Sequence, residues 1–412
     1  MYKLNMKKLI LNSIGILVYS AVYILRFFDI YFFRYSNAFG HQTLNVEYYA
    51  RRVKIISRTD NPTLVGIRHY EKAHTIANDS LFEHHKHSGL NIVSNRMMCF
   101  LLDLGLTFQK QKIEKKGGKK STSFLTSTLE KLDTDSGVHL LSDVAFPFNA
   151  DEVVVFDEIL NKMSLKSGEY YIVLDRGKNY YKSKILIGDS TAGYSYKKQH
   201  NLIEMQFKAA KAMKEYNIKA VKMGCEPRKE IIEDGVILDY PSKFRNSIGD
   251  IADLALMNGC KFYVGPSSGV YGLAQSLKKP VLLCNVFPWP WHRVPMGGNS
   301  IVMPKKIWLI KEKRMMTLCE MIKLENHYSM KDLLYNKAIF DSSSIELISN
   351  TEDEIAYGVK EINSRIDGTW DGDNYSLSYI LQGYIGEVSQ SYLSTSFVEN
   401  NPDIMTSIYP DK

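Results

Sequence analysis

The residues best placed to do chemistry sit in small-residue turns after β-prone runs. Gly265-Pro266-Ser267-Ser268-Gly269 follows Phe262-Tyr263-Val264 and precedes Val270, Leu273, Ala274 and Leu277, which repeat at helical spacing. A helix opened this way offers unpaired N–H groups, two hydroxyls and the positive end of a dipole. A diphosphate fits such a place. Gly265 and Gly269 would remove side chains where phosphate oxygens approach. A serine before a helix is equally an ordinary N-cap, and both readings stand on the sequence.

Two further turns carry candidates. The run Tyr170 to Leu174 ends in Asp175-Arg176-Gly177. Arg176 can pair with a diphosphate or form a surface salt bridge with Asp175. Tyr31 to Ser36 is a strand candidate followed by Asn37-Ala38-Phe39-Gly40-His41. If that glycine turn faces a ligand, Asn37, Gly40 and His41 line its site, and His41 is a candidate general base. The plain reading makes Gly40 a turn former and His41 a hydrogen bonder at the start of a helix over 44–53. Glu47 is a second base candidate, one to two turns into that helix. Arg68 closes the next strand, Thr63 to Ile67, as another polar strand end.

The elements that must position these residues alternate in type. Helical spacing at Ile203, Phe207, Ala210 and Met213 precedes a strand over 218–223 ended by Gly224. A strand over 236–240 carries Asp239 at its end. A helix over 251–257, the Phe262 strand, its following helix and an apolar run from Val281 to Cys284 lead to Asn285. Such alternation is the pattern of a parallel, doubly wound sheet. Ligands of these sheets bind beyond the carboxyl ends of the strands. That places Gly224, Asp239 and Asn285 with Gly265, Ser267, Ser268 and Gly269 as ligand-binding candidates.

Composition narrows the class. At 412 residues the chain is too long for one compact core and natural for two domains. A net charge of +7 suits phosphates or an anionic membrane surface. No arginine-rich helix or RNA-binding aromatic motif points to nucleic acid. The five cysteines form no CxxC pair, which implies a reduced compartment without structural zinc. His74, His84, His85 and His87 lack the spacing of a closed tetrahedral site and read as a solvated helix-loop face. No metal and no cofactor is expected.

Asp253 to Val270, with Pro280 and Asn285 after it, resembles the nucleotide-sugar half of GT-B glycosyltransferases. It is most similar to a bacterial family associated with surface-polysaccharide genes. Tyr171 to Tyr181, Ala220 to Gly224 and Asn37 to His41 fit the same family, and the likeness spans about Arg34 to Asp371. The chain departs from the family's strand motif at Leu174-Asp175-Arg176-Gly177. The resemblance implies an α/β fold of two Rossmann-like domains with parallel sheets facing a central cleft, closed by C-terminal helices that pack back. It implies metal-independent transfer of a sugar from a nucleotide-sugar donor to a lipid-linked or polysaccharide acceptor. A sugar-nucleotide epimerase of related fold and a noncatalytic membrane-associated scaffold are the alternatives.

The expected organisation is a membrane-associating segment over 1–33, an acceptor-side domain over 34–160, a donor-side domain over 161–340, and closing helices with a polar, poorly ordered tail over 341–412. Lys3, Lys7 and Lys8 precede an apolar run from Leu9 to Leu25, and no small-residue cleavage site follows. A run of this length is marginal for crossing a bilayer. Three readings compete: a membrane-embedded anchor, a signal anchor that would place the domains outside the cytoplasm, and a buried first helix of the core. An interfacial anchor on the cytoplasmic face of the inner membrane is preferred for the first, with the buried helix as its rival.

Overall fold

The computed structural model describes residues 2–35, 39, 41–68, 78–115, 142–174, 203–224, 235–287, 297–327, 345–380 and 391–405. By internal contacts the chain divides into two compact units, Met1–Asn149 and Ala150–Lys412.

The first unit begins with α1 (Tyr2–Leu25). A short 3-10 turn and the left-handed residue Asp29 (φ 55) redirect the chain into β1 (Ile30–Tyr35). A π-turn over His41–Asn45 opens α2 (Val46–Ile56), and β2 (Thr63–Arg68) follows. Then come α3 (Asp79–His87), capped by the Asn78 side chain, β3 (Asn91–Val93) and α4 (Arg96–Lys115). The strands pair in the order β1-β2-β3, both pairs parallel. Parallel pairing demands crossovers, which α2 and α3 supply, and both faces of the sheet must then be covered.

Alternation along β1 decides which residue meets which layer. Tyr31, Phe33 and Tyr35 pack with Val46, Tyr49 and Val53 of α2. Phe32 points the other way, to Ile67, Val22 of α1, and Cys99, Leu102 and Leu106 of α4. At Gly105 the two outer helices touch closely, since a Cβ there would lie 2.9 Å from Val18 Cγ1 and 3.2 Å from the Tyr19 nitrogen. One face of α1 is therefore a structural layer, while the rest of it stands exposed.

Glu47 is buried at the other face of this unit. It accepts from Arg51 Nε at 2.7 Å and from the Ala145 N–H, so it ties the 142–149 segment to α2. His84 and His85 are buried as well, which corrects the solvated reading for those two; His87 is exposed as expected, and His74 lies outside the described residues. Phe146 and Phe148 cover their rings, and the Tyr35 hydroxyl lies 3.1 Å from His85 Nδ1. Burial pushes the His85 imidazole down to about 3, so it stays neutral.

The second unit opens with α5 (Ala150–Lys162), then β4 (Tyr170–Leu174), α6 (Phe207–Met213), β5 (Lys219–Met223) and β6 (Ile237–Asp239). Next are α7 (Ile251–Gly259), β7 (Tyr263–Gly265), α8 (Gly269–Ser276), β8 (Val281–Val286) and β9 (Ile301–Pro304). These six strands are parallel and lie in the order β9-β8-β7-β4-β5-β6. Counted along the chain from the far edge, that is 3-2-1-4-5-6, the dinucleotide-binding order. Its direction of progression reverses between β4 and β7. The central strands are buried on both faces, which explains their unbroken apolar runs.

After β9 the chain adds a small antiparallel sheet before its closing helix. β10 (Lys306–Leu309) and β11 (Arg314–Met315) form a hairpin, α9 (Leu318–His327) follows, and β12 (Ile345–Ile348) pairs with β10. α10 (Glu352–Asp367) starts with a capping box between Thr351 and Glu354 and packs on α6 and β8 within this unit.

The described part of the expected polar tail, residues 391–405, is instead part of the core. β13 (Tyr375–Ser376) pairs with β14 (Tyr392–Leu393), which extends the large sheet parallel to β9. Leu393, Phe397 and Ile404 are fully buried. Glu361 of α10 holds the segment by accepting from Ser394 Oγ and the Thr395 N–H, both at 3.0 Å.

Candidate functional site

The carboxyl edge of the large sheet at the β4/β7 reversal gathers the central candidates. β7 leaves the core at Gly265, and the chain turns through Pro266, Ser267 and Ser268 into α8. Ser268 is extended (φ −159) and its Oγ accepts from the Tyr271 N–H at 3.0 Å, a true N-cap. The Tyr263 hydroxyl folds back over the turn. It donates to the Pro266 carbonyl at 2.9 Å and lies 3.3 Å from Ser268 Oγ. Gly265 makes room for this arrangement. A Cβ there would fall 2.6 Å from Tyr263 Oη and 3.1 Å from Leu174 Cβ. The absent side chain thus serves Tyr263 and β4 rather than opening a path for phosphate, contrary to the role expected for it.

Ser267, Ser268 and Gly269 remain half-buried at the start of α8. The turn presents backbone N–H groups and hydroxyls at the positive end of an eight-residue helix. Leu174, in contact range of Gly265, ends β4. Arg176, Asn37 and Gly40 lie outside the described residues. His41 heads the π-turn before α2, and Arg68 ends β2 in the first unit with its guanidinium 5.5 Å above the Phe82 ring.

Three other candidates share the sheet edge without joining the turn. Gly224 (φ 117) follows β5. Asp239 ends the outermost of the six strands, with β4 and β5 between it and β7. Its buried carboxylate pairs with Lys222 Nζ at 3.2 Å and accepts from the Ser242 hydroxyl. Asn285 sits at the end of β8 in a left-handed conformation (φ 54). Its N–H donates to Asn350 Oδ1 at 2.6 Å, and its own Oδ1 accepts from the Asn350 N–H at 2.7 Å. Asp239 and Asn285 therefore hold sheet edges together.

Two residues at this edge were not legible as candidates. Tyr263 read only as a strand residue, because nothing local announces that its hydroxyl returns to the turn. Lys305 follows β9, one strand beyond Asn285, and is buried with its Nζ 2.7 Å from Ser349 Oγ. Burial pushes its ammonium down to about 8. Its one sequence signal is a lysine directly after the apolar run Ile301-Val302-Met303-Pro304.

A cavity of about 910 Å³ lies at the opposite end of the sheet, among the starts of β4, β5 and β6. Two of its four lysines are engaged: Lys219 Nζ donates to the Ser164 carbonyl at 2.8 Å, and Lys261 pairs with Asp367 at 2.7 Å. Most of its lining is at the amino edge, where doubly wound sheets do not place their ligands, although it runs along β6 as far as Asp239 and Lys243, so the reversal point is the better site. Among the described residues no group of His, Cys, Asp or Glu is arranged to hold a metal ion.

No protein-family profile matches the chain, and no curated protein sequence does. Among solved structures it is similar to E. coli ADP-heptose LPS heptosyltransferase II. The likeness covers 66% of this chain and 89% of that one, with 11% identity and a TM-score of 0.35.

Proposed function

We propose that the protein is a metal-independent glycosyltransferase of GT-B type. It moves a sugar from a nucleotide-sugar donor to a glycan or lipid-linked glycan at the cytoplasmic face of a membrane. The observation that carries this reading is the position of the Gly265–Gly269 turn. It opens α8 at the place where the order of the six described parallel strands reverses. In this reading the donor diphosphate rests on the N–H groups of α8 with Ser267 and Ser268, and Arg176 is the cation that pairs with it. The leaving group is stabilised electrostatically by dipole and cation. His41 is the candidate base if transfer inverts configuration.

The test is a screen of UDP, GDP, CMP and ADP sugars by thermal shift, followed by a turnover assay. A nucleotide at 100 times its dissociation constant should stabilise the fold by ~2.7 kcal/mol. Release of free nucleotide only with acceptor present supports transfer. Interconversion of the sugar nucleotide without acceptor identifies an epimerase instead. Binding without either reaction identifies a scaffold.

A further inference from the structure

α1 has two faces with different fates. Gly15 and Val22 are buried, and Val18 and Tyr19 pack with the α4 layer. On the opposite side Leu9, Ile10, Leu17, Ile24, Phe27 and Phe28 form an outward stripe, with Leu17 70% and Phe28 71% exposed. Across Leu9–Phe28 the mean hydropathy is 1.7, yet only 11% of that window is buried. The exposed Ser20 hydroxyl bonds back to the Ile16 carbonyl at 2.9 Å, which satisfies it inside the helix.

Charge names the occupant of this stripe. No acidic residue precedes Asp29, whereas Lys3, Lys7, Lys8 and Arg26 bracket the apolar run. Asp29 itself is buried and accepts from the Tyr31 hydroxyl. At the same end Arg26 lies 5.8 Å from the Tyr23 ring centroid and Arg58 6.0 Å from that of Phe27. Cations beside aromatic rings at the rim of an apolar stripe suit the phosphate level of a bilayer.

We infer that α1 lies side-on in an anionic leaflet, with Leu17 and Ile24 in the acyl boundary, and does not cross the membrane. Crossing would withdraw Val18, Tyr19 and Val22 from α4 and uncover one face of a parallel sheet, which requires cover on both. A side-on helix keeps that layer and buries only its outward stripe, about 5–10 Å deep. The inference rests on the membrane half of the reading above, and its test contains no reaction.

The test uses the full chain and vesicles of phosphatidylcholine with or without phosphatidylglycerol. Wild type should sediment with the anionic vesicles. Leu17→Glu/Ile24→Glu, two exposed positions, should keep its circular dichroism and lose at least about tenfold in affinity. Fluorophores on Leu9→Cys, Leu17→Cys and Ile24→Cys, each read against the identically labelled unsubstituted chain, should report similar shallow depths by lipid quenchers. A deep Leu17 between shallow ends would mean a spanning helix, whose Leu9 and Ile24 stand roughly 22 Å apart along the normal, and would overturn the inference. So would absent vesicle binding, or equal binding by the double variant. A lipid-free dimer that the double variant abolishes, without vesicle binding, would reassign the stripe to a second copy of the chain.

Discussion

The hydroxyl of Tyr263 occupies the space that a side chain at Gly265 would need, and from there it donates to the Pro266 carbonyl. The turn at the sheet reversal is thus shaped from inside, by a strand residue two positions upstream. Gly265→Ala should destabilise the protein strongly, because the Tyr263 ring and Leu174 of β4 crowd the new methyl. Tyr263→Phe should cost about 1 kcal/mol, the size of one hydrogen bond. In the double variant the nearest clash is gone, so the two losses should sum to less than their separate values. Urea denaturation of the four proteins measures this coupling, and strict additivity would show that the hydroxyl does not fill that space.

Ser268 offers a cleaner separation of stability from binding. Aspartate caps helices as well as serine does, so Ser268→Asp should retain stability, whereas Ser268→Ala should lose ~1 kcal/mol. For the donor the order reverses. A negative charge about 4 Å from the diphosphate costs ~4 kcal/mol at an effective dielectric near 20, roughly a thousandfold in affinity. Ser268→Ala should weaken binding only about fivefold. Calorimetric titration of the nucleotide found in the screen checks both, and tight binding by the folded Asp variant would move the phosphates elsewhere.

Lys305 predicts a pH signature. Its ordinary value is 10.5 and burial holds it at about 8 in the folded state. Between those values the unfolded chain keeps a proton that the folded chain has released, so stability rises with pH there. Below about pH 8 the cost of the buried charge is felt in full, ~3 kcal/mol. Lys305→Met should therefore stabilise the protein at pH 7. The difference from wild type should shrink as pH climbs from 8 to 10.5. Chemical denaturation across that range reads the difference directly; a constant gap would place the lysine's titration outside the window.

His41 heads the π-turn that opens α2. If it takes the acceptor proton, His41→Ala should lower turnover by about two orders of magnitude while donor affinity stays nearly intact. Steady-state rates beside calorimetric donor titration make the comparison. Wild-type turnover in this variant would remove His41 from the site.

From Ile251 to Val286 the sequence was readable, since each element is a run of apolar residues closed by a turn former. Tyr263, Val264 and Val281 to Cys284 are buried on both faces, so no alternation had to be deciphered. Short pairings with distant partners were opaque. Tyr392 and Leu393 become a strand only because Ile301 and Val302 stand beside them. The two residues of β11 need β10 in the same way. His84 and His85 looked solvated because their cover, Phe146 and Phe148, comes from a segment far along the chain. Asn285 looked like a ligand contact for a similar reason: Asn350, its reciprocal partner, comes 65 residues later.

The close contact of Gly105 with Val18 and Tyr19 sets an order of events during synthesis. The ribosome makes α1 well before Cys99, Leu102 and Leu106, the residues of α4 that share its cluster. At about 5–20 residues per second, that leaves the nascent helix several seconds without its inner neighbours. During that interval both of its stripes are open to whatever lies near the exit tunnel. The arrival of α4 then claims one stripe for the sheet. A bilayer that has already taken the other would give the growing domain a surface on which to assemble.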